Sequence, residues 1–269
     1  MKPLTFVIDL QGRFGNQLFQ ISAAKMLENL GADVYFDAPK NSIDSDILRI
    51  NFLRSYVVDR LVFKQQFSFQ ALNSLRRRGR RIFLSPRSVL VESESLKSNL
   101  QEIDSSRWLI GYFQSLEHTG ILIKELRDYF DLNVIEPEFI TRIHIRKGDF
   151  VRLNLDLSLD WYVAALDLLM SKNNVQSVQV ITDDVEWYYQ NVFRKTEWPI
   201  EKSRDTLQNF ESLALSSNLV LSRSSFSWWA AAISNAKVIA PSPWFDGLTL
   251  KDDLILPTNW NKLLTETFD

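Results

Sequence analysis

The chain contains no cysteine, which excludes a disulfide framework, a thiolate zinc site and a cysteine nucleophile. A chain without thiols suits a reducing compartment. There are only two histidines, His118 and His144, too few for a multi-histidine metal centre. No apolar run approaches the ~18 residues of a membrane-spanning helix. Met1-Lys2-Pro3-Leu4 leads directly into strand-like sequence and lacks the long apolar stretch and cleavage site of a signal peptide. A cytoplasmic location is expected. Neither G-x-G-x-x-G nor G-x-x-x-x-G-K-[ST] occurs, which argues against a dinucleotide-dependent enzyme and a P-loop ATPase. Lys and Arg total 31 against 33 Asp and Glu, a net charge of −2. No global basic field is present to hold nucleic acid.

What is present is ordinary globular composition, 45% apolar and 24% charged over 269 residues. At about 150 residues per domain, one large domain or two smaller ones fit. Leu4–Leu10 reads as a buried strand, Gly12–Gln17 as a turn, and Leu18 to Leu30 as a helix stopped by Gly31. Asp33–Phe36 is the next strand, so the chain opens as a βαβ unit on a parallel sheet. Residues 40–105 carry mixed patterns, including the basic run Arg76–Arg81. Trp108–Phe113 reads as a strand and Gly120–Phe130 as a helix.

Beyond Phe139 the alternation is cleaner. Strands are expected at Ile140–Ile145, Val178–Ile181, Leu219–Leu221 and Val238–Ala240, the last ended by Pro241 and Pro243. Helices are expected after Ser158, after Thr182-Asp183-Asp184 (running through Trp187 and Val192), after a Thr206 cap and after Ser224-Ser225. The fold class is α/β. The polar segment Asn133–Glu138 divides an N-terminal domain, 1–135, from a C-terminal one, 136–269. The last segment is a candidate to return to the N-terminal domain.

Open parallel sheets bind ligands beyond the carboxyl ends of their strands. Four polar clusters fall there: Gly12–Gln17, His144–Asp149, Thr182–Asp184 and Arg223–Ser227. The last two open helices, where backbone N–H groups favour anions. Arg146 adds a fixed charge with a fork suited to phosphate, so a nucleotide diphosphate is the natural ligand. Each cluster also has a plain structural reading. The glycines supply turn geometry, His144 makes a structural hydrogen bond, Asp183-Asp184 and Ser224-Ser225 cap helices, Asp149 pairs with Arg146 or Lys147, and Trp228 and Trp229 fill the core.

Taken together, these segments resemble the α1,2-fucosyltransferase family. Ile143-His144-Ile145-Arg146-Lys147-Gly148-Asp149-Phe150 is similar to its H-x-R-R-G-D-Y signature. Gly12-Arg13-Phe14-Gly15-Asn16-Gln17-Leu18-Phe19-Gln20 resembles G-x-L-G-N-Q-x-F-Q, and Ser158–Tyr162 resembles S-L-D-Y-Y. Val180–Trp187 resembles F-S-D-D-x-x-W, and Ser224–Ala230 resembles S-S-F-S-W-W-G/A. Ile239-Ala240-Pro241 with Trp244-Phe245 continues the match. Lys147 stands where the family has a second arginine, which keeps the charge and loses the planar fork. Phe150 replaces a tyrosine. Arg13-Phe14 before Gly15 also resembles protein O-fucosyltransferases.

The resemblance implies two Rossmann-like domains facing a cleft (GT-B type), an inverting mechanism, and GDP-β-L-fucose as donor. It implies fucose transfer to the 2-hydroxyl of a terminal β-galactoside on a glycan. His144, Arg146, Asn16 and Asp149 are the implied catalytic set. Gly12, Arg13, Gly15, Lys147, Asp183, Asp184, Ser224, Ser225, Phe226 and Ser227 join His144 and Arg146 on the donor. Within it, Arg146 is placed on the diphosphate, Asp183 or Asp184 near guanine or ribose, and Ser224–Ser227 near a phosphate. Asn16 lies near sugar and acceptor. No cofactor and no metal are expected, because Asp44-Ser45-Asp46 spells D-x-D without following a strand. The general base is left open. Arg76–Arg81 is a solvated face or, alternatively, a contact with an anionic membrane surface, which would place the protein peripherally at the inner membrane face. Other readings are another linkage, a protein hydroxyl acceptor, a non-catalytic nucleotide-sugar-binding module, or a two-carboxylate glycoside hydrolase.

Overall fold

The computed structural model describes residues 3–38, 42–61, 88–90, 107–172, 175, 177–201, 205–244 and 252–268. The chain divides into two compact units, Met1–Ile121 and Leu122–Asp269. Each is built on a parallel sheet.

The first unit has strands β1 (Thr5–Asp9), β2 (Asp33–Asp37), β3 (Ser88–Leu90) and β4 (Arg107–Ile110), in spatial order β2-β1-β4-β3. Helix α1 (Phe14–Asn29) crosses from β1 to β2. It buries Leu18, Phe19, Ile21, Ala24 and Leu27, the apolar face that the spacing predicts. Gly31 stops it as expected, with φ +87°. The N–H of Gly31 bonds the Glu28 carbonyl and that of Ala32 the Leu27 carbonyl, the Schellman pattern that spares the last turn its orphan carbonyls. The start is capped from a distance. Arg13 offers no side-chain cap, and Asp44 Oδ2 accepts from Phe14 N at 3.0 Å instead. The strand expected at Trp108–Phe113 ends at Ile110, because Gly111 (φ +159°) and Phe113 (φ +52°) turn the chain.

The second unit has β5 (Glu138–Ile145), β6 (Val178–Thr182), β7 (Ser216–Val220), β8 (Lys237–Ser242) and β9 (Asn261–Leu264), all parallel, in order β6-β5-β7-β8-β9. One face packs Ile143, Ile145, Val180, Val220 and Ile239 against Trp161, Tyr162, Ala165 and Leu169 of the helix Leu159–Lys172. Ser158 caps that helix as expected, accepting from Trp161 N. The helix after Asp184 runs from Val185 to Thr196 with a π-type stretch at Tyr189–Phe193.

Three details differ from the sequence pattern. Asp205, not Thr206, caps the helix Thr206–Ala214 by accepting from Gln208 N. Strand β7 starts at Ser216, three residues earlier than the hydropathy suggests. Its polar residues are satisfied: Asn218 donates to Thr141 Oγ1 at 3.0 Å and Ser216 to the Ser212 carbonyl. Strand β8 runs through Pro241 to Ser242. Leu221 N bonds the Ile239 carbonyl and Thr265 N the Ser242 carbonyl, so odd positions of β8 face β7 and even ones face β9. Pro241 therefore faces a flank where β7 has already ended, and its missing N–H costs no ladder bond.

Candidate active site

In an open sheet the ligand crevice opens where consecutive strands diverge to opposite sides. In the second unit β5 lies between β6 and β7, so that point is at the carboxyl ends of β5 and β7. The residues that follow those strands are Arg146-Lys147-Gly148-Asp149 and Leu221-Ser222-Arg223-Ser224. They carry most of the sequence-derived site.

His144 is buried, at 4% exposure, and its Nδ1 lies 2.7 Å from Ser222 Oγ, bridging β5 and the turn after β7. Burial, with the Arg146 charge second, lowers its pKa to about 3. The ring is neutral and stacks obliquely on Phe226, which in turn meets Phe210.

Arg146 is the centre of the cluster. Nη2 pairs with Asp149 Oδ1 at 2.6 Å and Nη1 with Asp183 Oδ2 at 2.9 Å. The Phe150 ring lies 5.3 Å below the guanidinium. Among the described residues Nε is buried without a hydrogen-bond partner. A guanidinium held by two carboxylates from different loops has its orientation set before any ligand arrives.

Asp183 does double service. Its Oδ1 accepts the Lys147 backbone N–H at 2.8 Å while Oδ2 holds Arg146. Gly148 lies against the same oxygen: at φ +32°, a Cβ there would stand 2.5 Å from Asp183 Oδ2. Gly148 is thus required by close approach as well as by backbone angle. Asp184 is spent as a cap, accepting from Trp187 N at 3.0 Å. Lys147 turns its ammonium inward, to Asp156 Oδ2 at 2.5 Å and the Leu157 carbonyl, over the Trp187 ring.

The helix Ser225–Ile233 begins at this end of the sheet. Ser224 occupies its N-cap without a side-chain cap bond; its N–H bonds the Ser222 carbonyl. Ser227 is fully buried and donates to the Ser224 carbonyl. Phe226 supports His144. Arg223, also buried, donates to Thr265 Oγ1 and the Pro243 carbonyl and fixes the turn. Trp228 and Trp229 are core residues.

In the first unit, Gly12 has φ +77°, and a Cβ there would meet Asn16 Nδ2 at 2.6 Å. Gln17 sews the turn together, donating to the Gly12 and Ser42 carbonyls and accepting from Asp44 N. Gln20 bonds the Asp9 and Gly111 carbonyls and accepts from Gln11 N. Asn16 Oδ1 accepts from Gln114 Nε2 at 3.0 Å. Gly15 is buried in the first turn of α1, and Arg13 is exposed at its N-cap. Asp44 and Asp46 of the D-x-D spelling have structural partners: Asp44 holds Phe14 N and Asp46 N, and Asp46 pairs with Arg49. Among the described residues no group of three acidic or histidine side chains is placed to hold a metal.

Sequence reasoning overlooked Gly148, Ser222, Asp156 and Gln114. Gly148 sits inside the quoted signature, and its neighbours Lys147 and Asp149 drew attention from it. Ser222 had no signal beyond a polar residue near a strand end, and Asp156 none beyond a polar residue in the loop before the helix Leu159–Lys172. Arg76–Arg81 and Phe245 lie outside the described residues. Among the described residues no helix is long and apolar enough to cross a membrane.

Two α/β units, each on a parallel sheet, match the fold of GT-B glycosyltransferases. Over almost its whole length the chain is similar to a solved structure, Escherichia coli heptosyltransferase WaaC with ADP, with TM-score 0.50, 11% identity, and 97% of this chain and 93% of that one covered. That likeness is one of fold. NodZ alpha-1,6-fucosyltransferase from Bradyrhizobium, soaked with GDP-fucose, matches at TM-score 0.48 and 13% identity over 90% of this chain and 96% of that one. A mutant of Arabidopsis thaliana FUT1 in complex with GDP matches at 0.49 and 11%, over 89% and 70%. No curated protein matches the sequence. The profile of glycosyl transferase family 11 matches residues 114–263, and the chain belongs to that family.

Proposed function

We propose that this family 11 glycosyltransferase moves L-fucose from GDP-β-L-fucose to the 2-hydroxyl of a terminal β-galactoside, forming an α1,2 linkage with inversion. The observation that carries the reading is Arg146, held between Asp149 and Asp183 at the switch point. As the bond between fucose C1 and the diphosphate oxygen breaks, negative charge grows on the diphosphate and the sugar becomes oxocarbenium-like. A preoriented guanidinium stabilises that charge without reorganising, an effect worth a few kcal/mol per donor. The helix beginning at Ser225 turns its positive end toward the same edge of the sheet.

The surrounding residues divide into contacts and supports. Arg146 meets the diphosphate, while Asp149, Asp183 and Gly148 orient it. Lys147, with its ammonium tied to Asp156, braces the loop rather than reaching the donor. His144, neutral at physiological pH, serves as a hydrogen-bonding group and not as the proton acceptor. The Asp44 and Asp46 carboxylates are occupied in helix capping and an ion pair, so Arg146 takes the charge-stabilising task and chelator is expected to leave the rate unchanged. Incubating the purified protein with GDP-fucose and a panel of galactosides, with linkage assignment by NMR, tests the proposal. An α1,2-fucosylated product supports it. A different linkage, or fucose on a protein hydroxyl, would relocate the acceptor, and GDP binding without transfer would replace the enzyme by a binding module.

A further inference from the structure

His144 reaches the carboxyl end of β5 with its ring already engaged. Ser222 Oγ stands 2.7 Å from Nδ1, and Ser222 is itself buried, at 2% exposure. The serine backbone is pinned. Its carbonyl accepts from Ser224 N at 2.7 Å and from Ser227 Oγ at 3.5 Å, and the residue before it is tied to β8 by Leu221 N on the Ile239 carbonyl. The imidazole is held as well. It packs against Phe226 with ring centroids 5.6 Å apart, and Phe226 packs against Phe210.

Counting hydrogens decides which of the two atoms donates. Burial, with the Arg146 charge second, keeps the imidazole neutral, so it carries one N–H and one lone pair. Were the hydrogen on Nδ1, it would be donated to Ser222 Oγ, and the serine hydroxyl would need a different acceptor for its own hydrogen. Among the described residues the hydroxyl has one partner, Nδ1. An unpaired hydroxyl hydrogen in the interior is costly and rare. The arrangement that pairs every group has Oγ–H donating to Nδ1 and the ring hydrogen on Nε2.

We infer that Ser222 is a positioning residue for the transfer reaction: its hydroxyl locks His144 in the Nε2–H form, a neutral donor beside Arg146 for an anionic oxygen of the diphosphate. The partner of one ring nitrogen thus sets what the other can do. The lone pair is spent on the serine, so Nε2 does not take a proton from an attacking hydroxyl. The tautomer rests on the hydrogen-bond geometry alone. The diphosphate as acceptor rests on the proposed function.

Two-bond proton–nitrogen correlation NMR on the full chain, labelled at histidine, reads the tautomer near neutral pH. The chain has two histidines, so His118→Gln leaves the His144 pattern alone. The wild type should show Nδ1 as a bare ring nitrogen and Nε2 as a protonated one. Ser222→Ala should move Nδ1 toward the protonated range and weaken GDP binding about three- to tenfold by calorimetry, with guanosine binding unchanged. Ser222→Thr, which keeps the hydroxyl, should restore both. A ring hydrogen on Nδ1 in the wild type, or a tautomer unchanged in Ser222→Ala, would overturn the inference. The wild-type spectrum decides the first of these even where the alanine variant fails to fold. GDP that leaves the Nε2 resonance unmoved and binds Ser222→Ala as tightly as the wild type would overturn the positioning role. A wild type that binds no GDP, yet loses the Nε2–H form in Ser222→Ala, would sink the GDP-fucose reading and leave the serine's hold on the ring standing.

Discussion

Arg146 concentrates the chemistry of the second unit because three neighbours make it a rigid group. Two carboxylates take one hydrogen bond each, and a glycine leaves room for the second of them. Asp183 then has both oxygens engaged within the protein, one on Lys147 N and one on Arg146. That geometry favours positioning over direct reading of guanine or ribose. Asp183→Asn is expected to lower GDP affinity about tenfold while leaving guanosine affinity unchanged, measured by calorimetry, since one charge-assisted bond is worth about 1.5–3 kcal/mol. Equal losses for both ligands would show that Asp183 touches the nucleoside. Gly148→Ala should act through the same oxygen and lower both thermal stability and GDP affinity. At this scale the residue types were legible and their partners were not. The sequence presents His144, Arg146 and Asp183 as polar residues at strand ends, but nothing local pairs residues 36 or 78 positions apart. Lys147 is a donor contact by the family resemblance, and its pairing with Asp156, nine residues on, has no local signal in the sequence.

Among elements, apolar periodicity located both βαβ units, since the core helices and inner strands carry long regular patterns. It failed where polar side chains satisfy one another. The Ser216–Asn218 segment of β7 has no hydropathic alternation, yet hydroxyl and amide pairs make it the strand next to β5. The edge strand β9 is four residues long, too short to stand out. Capping from a distance is invisible as well. Asp44 is 30 residues from Phe14 and still serves as the cap of α1. Asp44→Ala should therefore destabilise the protein by about 1–2 kcal/mol, read as a lower urea midpoint at constant m. No change would mean that α1 is held by packing alone, and activity that rises with added magnesium in the wild type but not in the variant would restore a metal role for that carboxylate.

For the whole molecule, two buried histidines link stability to pH. Burial lowers His118 from 6.5 to about 4, and burial with the Arg146 charge lowers His144 to about 3. Both folded values lie below the unfolded one. Above pH 6.5 neither state binds these protons and the full stability is present. As pH falls from 6.5 toward 4, the unfolded chain takes up protons that the folded chain refuses, and stability is lost. Each histidine contributes up to about 1.4 kcal/mol per pH unit in that window. Tm should hold steady above pH 7 and fall between pH 6.5 and 5, before most carboxylates titrate. His118→Gln should flatten the fall. A Tm independent of pH down to 5 would contradict the burial of both rings. The fold class itself was legible because alternating strands and helices with buried inner strands leave few architectures open, and the family profile and the two sheets agree with it.

The account depends on Arg146 receiving a diphosphate. Calorimetric titration of GDP into the wild type and Arg146→Ala measures this directly, with thermal unfolding as the control for folding. Binding by the wild type, a loss of at least tenfold in the variant, and guanosine affinity equal in both are the predicted results. GDP affinity unchanged by the substitution, in a variant that unfolds like the wild type, would contradict it.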